Sequence, residues 1–572
     1  MLGPGRVGCY NHIADGGIAR DGNAFSNVNP EGDARRWLGG RRLVRVFEFF
    51  RRGLSERRRE AVARRSTPGP CLRMAGANPP ADDGESDILL ASADATVLLP
   101  EPLFTRICWH VLPILWLGYV ANIVDRTNLG YAQLQMSHDL SLSPRAFGLA
   151  SGLFFVGYCI MQVPFNHLML QIGSRRILAC SMVAWGCISS ATSLAPGERS
   201  LYALRFALGI AESGYYPGTL LYLTKWFPEA NQGRALAYFS TAASVGGIIA
   251  SAGSGVTMTL LEGVGGIRGW RWLLAIQGLP TVVLGAMLPA VLCERPRDAT
   301  WLSGEEKAAL LAALEADGKR GHQPLPPPLL QTLQSALALP RTRGFIVQYM
   351  GVSCLMNGAR FFLPSQLKEA FPTWSPARIG CSFALVALAK VLAIPHAARR
   401  TEGDDARRAR TVRACFLGSA AVLLAAGCGM LLERSSRATA LACVLLLVVV
   451  CADIATQMAI PLFWAMHHAA QPPSDVACSI ALVNAIGNLG GFIGPWLLGA
   501  MHDSTALSAA ACADTLDRRG RCFAQWAAGT ATIGLVLMGT TSYRLWVDRR
   551  ASSAEGRGAR ATSTSRHMLL GS

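Results

Sequence analysis

Charge is scarce in this chain. Of its 572 residues only 16% are Asp, Glu, Lys or Arg, against 51% hydrophobic, where soluble proteins carry about a quarter charged residues. Lysine is scarcer still. Lys225, Lys307, Lys319, Lys368 and Lys390 are the only ones, so the formal net charge of +17 is nearly all arginine. No basic face interleaved with aromatics accompanies that charge, which argues against a nucleic-acid partner. The 16 cysteines include no C-x-x-C pair, and most sit in apolar runs, where they behave as small hydrophobes. Cys512 and Cys522 share a polar loop and can pair only if that loop meets an oxidising compartment; free thiols are the expectation. There is no P-loop, no H-E-x-x-H and no G-x-S-x-G in a strand-turn-helix setting. Gly263–Gly269 reads as a loop, and His110, His467 and His468 look interfacial, without metal-ligand spacing. An enzyme, a cofactor and a metal centre are therefore not expected.

Long apolar runs are what the chain does have. Residues 1–100 are rich in Gly, Arg and Pro and contain none. They read as a basic low-complexity tail, either a targeting segment or an extension of the gene ahead of Met74. Within them Trp37–Arg65 has the pattern of a basic amphipathic helix that can lie on an anionic membrane surface. From Leu103 onward, membrane-length runs alternate with short polar breaks. Spans are expected at 103–124, 147–170, 177–195, 200–223, 235–258 and 270–292, then at 343–363, 378–396, 412–432, 438–463, 476–500 and 523–546. The fold class is an all-α membrane protein with twelve transmembrane helices in two six-helix halves. The expected divisions are a tail at 1–100, a first half at 101–293, a linker at 294–342, a second half at 343–547 and a second tail at 548–572.

Arginine placement sets the orientation. Arg175 and Arg176, Lys225 and Arg234, the 295–343 interval and the cluster from Arg399 to Arg413 fall in breaks of one parity, expected to face the cytoplasm. Within the linker, Ser303-Gly-Glu-Glu306 is a capping box that should open a short surface helix reaching about Ala316. Pro324–Pro328 then reads as a stiff connector. The halves echo each other: Ser244-Val-Gly-Gly-Ile-Ile in the fifth span and Asn488-Leu-Gly-Gly-Phe-Ile in the eleventh. Repeated halves around a midplane site are a common transporter design.

Asp125 and Arg126 end the first apolar run, and Glu212 lies inside the fourth. Each ionisable group at the bilayer centre costs roughly 2.5–3.5 kcal/mol on insertion scales, so groups that persist there are expected to have a use. Opposite charges on separate spans suggest a site for an anion, a proton or both. Asp453 in the tenth span is a further candidate for coupling. Asn484 and Asn488 are one helical turn apart and share a face, available to a substrate or to a neighbouring helix.

These residues also carry a family resemblance. Asp125-Arg-Thr-Asn-Leu-Gly-Tyr-Ala, Phe155-Val-Gly-Tyr158-Cys-Ile-Met-Gln-Val-Pro164 and Arg205-Phe-Ala-Leu-Gly-Ile-Ala-Glu212-Ser-Gly-Tyr-Tyr-Pro-Gly218 stand in the first half, followed by Lys225-Trp-Phe-Pro228 and Gly269-Trp-Arg-Trp272. Glu294-Arg-Pro, Trp301-Leu-Ser-Gly-Glu-Glu-Lys307, Phe362-Leu-Pro364 and Asn484-Ala-Ile-Gly-Asn-Leu-Gly-Gly-Phe-Ile-Gly-Pro495 follow. Together they resemble the anion:cation symporter family of the major facilitator superfamily, the tartrate, phthalate and allantoate permeases among them. The superfamily's cytoplasmic motif after the second span normally carries an acid and an arginine three and two residues before its glycine. Here Leu170 and Gln171 stand in those places before Gly173, while Arg175 and Arg176 are kept.

The resemblance implies a proton-coupled symporter of a small organic anion that works by alternating access as a monomer in the bilayer. Arg126 would grip the substrate carboxylate, with Tyr158, Asn484 and Asn488 as further substrate contacts. Glu212 and Asp125 would carry the proton, with Asp125 alternatively a cap at the end of the first span. Arg205 would support Glu212. Arg360 would add anion selectivity or, near the end of its span, snorkel to the interface. Two other readings stand beside this one: a carrier linked to sodium or phosphate, and a sensor that binds the anion without moving it. The plasma membrane is the expected location, or an organelle membrane if the basic N-terminus is a transit segment.

Overall fold

Helices form wherever the chain is apolar, and they stop where the backbone or a polar cap requires it. A computed structural model describes residues 98–316, 334, 338–401, 404–432, 438–469, 476–509, 529, 532–545 and 548. Its first helices are α1 (Glu101–Asp139), α2 (Pro144–Ile172), α3 (Ser174–Thr192), α4 (Glu198–Glu212), α5 (Tyr215–Thr224), α6 (Glu229–Leu260) and α7 (Gly269–Val291). A surface helix α8 (Gly304–Ala316) follows. Then come α9 (Pro340–Ala370), α10 (Pro376–Arg400), α11 (Asp405–Leu432), α12 (Ala438–Ala469), α13 (Val476–Gly487) and α14 (Gly490–Ala509). Residues 532–545 are helical as well. Among the described residues, six helices are long and apolar enough to cross a membrane by length and composition alone. Trp37–Arg65, Pro324–Pro328, Cys512 and Cys522 lie outside the described residues.

The caps explain several boundaries. Ser143 accepts the Ala146 N–H at 3.1 Å and Pro144 occupies the first turn of α2, an N-terminus with its donors met. Gly173, at φ +105°, then turns the chain from α2 into α3, a conformation open to glycine and costly for other residues. In the linker, Ser303 and Glu306 form the expected reciprocal box, with bonds of 3.0 and 3.2 Å. Trp301 stacks on His110 at 4.1 Å and on Trp226 at 5.5 Å, while Arg106 donates to Glu306 at 2.7 Å. These contacts fasten α8 to the first half.

Two large hydrophobic clusters divide the described residues, beside a small third one around Trp116, Val124 and Ala242. One is built mainly on residues between Leu99 and Ala313, around Phe104, Phe154, Trp185, Trp226 and Trp270. The other lies between Phe345 and Leu537, around Phe416 and Phe463. Each half thus has its own core. The halves meet where α1 packs on α9, α2 on α14 and α6 on α10. Glycines allow the backbones to touch at this seam. A Cβ on Gly148 of α2 would lie 3.1 Å from the Pro495 carbonyl carbon, and one on Gly380 of α10 would lie 3.1 Å from the Gly255 Cα. Small residues that bring helices close are the usual device for packing within a bilayer.

Two spans are broken. The fourth is divided into α4 and α5 by a turn at Ser213 and Gly214, with Glu212 as the last residue of α4. The eleventh is divided into α13 and α14 at Asn488 and Leu489. Other expectations about the first and seventh spans are corrected. α1 runs on to Asp139, so Asp125 sits inside a helix and does not cap one. α9 reaches Ala370, which puts Arg360 in the helix interior, away from an interface to which it would snorkel. His467 is fully buried and bonds Ser479 Oγ at 2.9 Å, so it is no interfacial residue.

Candidate functional site

Close helix packing builds the site. A Cβ on Gly209 of α4 would lie 2.8 Å from the Phe154 carbonyl carbon, and one on Gly157 of α2 would lie 3.1 Å from the Ile210 nitrogen. Reciprocal glycines therefore draw α4 against α2. That approach sets Phe154 and Tyr158, one helical turn apart on α2, beside two arginines. Arg126 lies over the Phe154 ring at 5.2 Å and over the Tyr158 ring at 4.6 Å, while Arg205 lies over Phe154 at 5.0 Å. A guanidinium over an aromatic face is held by the ring quadrupole and keeps its in-plane donors for other partners.

Arg126 Nε donates to Glu212 Oε1, joining the first helix to the fourth span. The Glu212 side chain is fully buried, whereas Arg126 keeps 16% of its side chain accessible. The second Glu212 oxygen has no hydrogen-bond partner, and neither does the buried Asn122 amide nitrogen. Asp125 is buried too. Its Oδ1 accepts from Ser189 Oγ of α3 at 2.5 Å and from Asn128 Nδ2 at 3.1 Å, and its Oδ2 is unpartnered. Arg205 lies inside α4, two turns before Glu212, with Nε and Nη2 unpartnered. A buried polar atom left unpaired costs about 1–3 kcal/mol, more for a charge. Several such atoms in one place mark a site that is kept for something other than stability.

The sequence expectations divide accordingly. Asp125, Arg126, Tyr158, Arg205 and Glu212 are brought together. Arg360 of α9 joins them from the second half, within electrostatic reach of Arg126, Glu212, Tyr119 and Asp453. Asn484 and Asn488 are not drawn into this cluster by any recorded bond. Asn488 Nδ2 donates to the Asn484 carbonyl at 2.8 Å and to its side-chain oxygen at 3.1 Å. Their helix does touch the site's wall, since a Cβ on Gly487 would press on the Tyr349 ring.

Sequence reasoning missed the phenols around the cluster. Tyr119 of α1 packs against Tyr216 of α5 at 5.3 Å. Tyr349 of α9 lies within electrostatic reach of Tyr119, Tyr158, Arg126 and Arg360. One signal was available, since Tyr119, Asn122 and Arg126 follow the i, i+3, i+7 spacing of a single helix face. Lys390 was also passed over. It forms an ion pair with Asp453 between α10 and α12.

At the other end of the first half, Glu294 stands at the N-terminus of α3, beside the stretch in which Leu170 and Gln171 precede Gly173. Its carboxylate accepts the Ser174 and Arg175 N–H groups at 3.0 and 2.8 Å and Lys225 Nζ at 2.6 Å. Burial alone would raise its pKa, but the Lys225 ammonium and these backbone donors hold it below the usual carboxylate range. A carboxylate at the N-terminus of α3 also meets the positive end of the helix dipole.

Paired helical cores, broken helices and ionisable groups buried between the halves define a membrane transporter of the alternating-halves type. Over residues 115–495 the chain matches the family model of the Major Facilitator Superfamily. It is 32% identical over 411 residues to a protein of Agrobacterium vitis named as a tartrate transporter, covering 71% of this chain and 90% of that one. It is 39% identical over 221 residues to the metabolite transport protein NicT of Pseudomonas putida, covering 39% of this chain and 51% of NicT. The crystal structure of a bacterial homologue of the human lysosomal transporter Spinster aligns with a TM-score of 0.60 at 18% identity, covering 79% of this chain and 98% of that one. The chain belongs to the major facilitator superfamily and is similar to its anion:cation symporter members. It is a multi-pass secondary transporter of a small molecule and not an enzyme.

Proposed function

We propose that the protein is a proton-coupled symporter of a small organic anion and that Arg126 receives the substrate carboxylate. The observation that carries this reading is the buried Arg126–Glu212 ion pair, which joins the first helix to the broken fourth span. A guanidinium presents a planar fork that fits a carboxylate through two parallel hydrogen bonds. Glu212 engages Nε alone, so an arriving carboxylate competes with it for the same cation. Stripped of its counter-charge in a buried setting, Glu212 then favours its protonated form. One anion and one proton are thereby bound together. Asp125, beside Ser189 and Asn128, is the second proton site, and Arg205 positions Glu212 through its charge. Tyr158 lends its ring to Arg126 and its hydroxyl to the substrate. The coupling ion is the proton rather than sodium, the working unit is the monomer, and the plasma membrane is its place. The tartrate transporter name borne by the Agrobacterium vitis relative supports a carboxylate as cargo.

Proteoliposomes test this reading. Uptake across a panel of labelled organic acids is measured with an inward proton gradient, with a sodium gradient and with neither, for the wild type, Arg126→Ala and Glu212→Gln. Proton-driven uptake should vanish in Arg126→Ala. Glu212→Gln should lose accumulation while still exchanging labelled for unlabelled substrate. Uptake that survives Arg126→Ala sinks the proposal, and binding without flux in the wild type points to a sensor.

A further inference from the structure

Building on the Arg126 reading, we infer that Lys390 and Asp453 form a second anion station, which takes the far carboxylate of a dianionic cargo. Lys390 is one of only five lysines in the chain and stands in the interior of α10, within a stretch apolar enough to span a membrane. A lysine in such a place is as costly to insert as the acids that first drew attention. Its partner Asp453 lies midway along α12. The side chains are only 24% and 11% accessible, so this is no surface ion pair.

The arrangement repeats that of the first half. There an arginine on the opening helix, Arg126, faces an acid midway along the fourth span, Glu212. In the second half Arg360 stands on the opening helix and Asp453 midway along the fourth span of that half. Arg360 lies within electrostatic reach of both Asp453 and Arg126, which makes the two constellations neighbours across the interface between halves. One difference matters. Asp453 is already claimed by Lys390, so the second half presents two cations for one acid. On the α11 side, next to Asp453, the recorded polar contact is uncharged, Ser419 bonding the Ala452 carbonyl at 3.2 Å. A surplus cation in a partly buried setting is stabilised by an anion that brings its own charge and hydrogen-bond acceptors.

A monocarboxylate is fully served by Arg126. A dicarboxylate places its second group at Arg360 and Lys390, displacing Asp453 as the first group displaces Glu212. No covalent bond changes: two carboxylate–cation pairs replace two internal ones, and each released acid takes up one proton.

The test compares succinate and hydroxylated four-carbon dicarboxylates with their half-amides, which match them in shape but carry one charge fewer. Uptake and binding are measured in proteoliposomes for the wild type, Lys390→Gln, Lys390→Arg and the double variant Lys390→Gln/Asp453→Asn. The double variant removes both partners of the ion pair, so neither Lys390 nor Asp453 is left without the other, and it should fold even if a single one does not. The wild type should favour the dicarboxylate at least tenfold. Lys390→Gln and the double variant should lose that preference while half-amide affinity stays within twofold, and Lys390→Arg should restore it. Equal loss for both probes in the double variant means a merely structural pair and overturns the inference. So does a wild type that treats the probes alike or moves neither. Transport that persists in Arg126→Ala overturns the underlying reading instead, so the two failures are distinguishable.

Discussion

Phe154 carries a guanidinium from two different helices, Arg126 of α1 and Arg205 of α4, at 5.2 and 5.0 Å from its ring centre. The ring attracts both of these like charges. Each such contact is worth about 0.5–2 kcal/mol. Phe154→Leu keeps the apolar volume and removes the π face, so apparent substrate affinity should fall roughly 2- to 30-fold with little change in the melting temperature. A titration of uptake against substrate concentration, beside a thermal melt, checks both halves of that statement. At this scale the ionisable residues were readable from the sequence, because a charge inside an apolar run stands out by its insertion cost. The phenols were not, since tyrosine is unremarkable in a membrane helix until its neighbours are known. Asp453 stood out singly, but Lys390 was passed over, and nothing in the sequence said that the two meet.

Among the elements, the ends of α3, α5 and α7 converge on Glu294. Its carboxyl is held below the usual range, so its stabilising contribution is present above the ordinary glutamate value of 4.5 and is lost as pH falls through the depressed one. Glu294→Gln should lower the unfolding free energy by about 1–2 kcal/mol at neutral pH, allowing for partial solvent screening. The gap between the two proteins should close in acid, a comparison that detergent-solubilised protein and a pH series of melts provide. The expected spans from 103–124 to 476–500 all fall on described helices, and the last is helical over its described residues 532–545, because apolar runs of membrane length have few other uses. Boundaries were harder to read. Sequence reasoning ended the first span at residue 124, where hydropathy drops, yet α1 continues because Ser189, Asn128 and Glu212 satisfy the charges of Asp125 and Arg126 from within the bundle. The breaks inside the fourth and eleventh spans were equally hidden, since each costs only a turn of backbone and leaves the apolar run intact.

Viewed as a whole molecule, the halves have separate cores and touch along a seam that tolerates no Cβ at Gly148 or Gly380. Overpacking of a close contact costs about 1–3 kcal/mol, enough to shift a two-state balance by one to two powers of ten. Gly380→Val should therefore disfavour the closed seam. Proteoliposome uptake should drop at least fivefold while protein level and carboxylate binding persist, and normal uptake would show that the seam opens and closes without that contact. The sequence hinted at two halves through the paired Gly-Gly motifs of the fifth and eleventh spans, but the seam depends on which glycines face each other across it. That pairing exists only in three dimensions.

The buried charges also have an electrical consequence. Four cations, Arg126, Arg205, Arg360 and Lys390, face three acids, Asp125, Glu212 and Asp453, which leaves one positive charge in excess when all are ionised. If each incoming carboxylate frees one acid to take one proton, the excess is the same whether the carrier is empty or loaded. Moving one charge through 100 mV takes about 2.3 kcal/mol, and that work is equal and opposite on the two crossings of the cycle. Over a full cycle the driving force on such a carrier is independent of membrane voltage and comes from the proton and cargo gradients alone, while each single crossing feels the field.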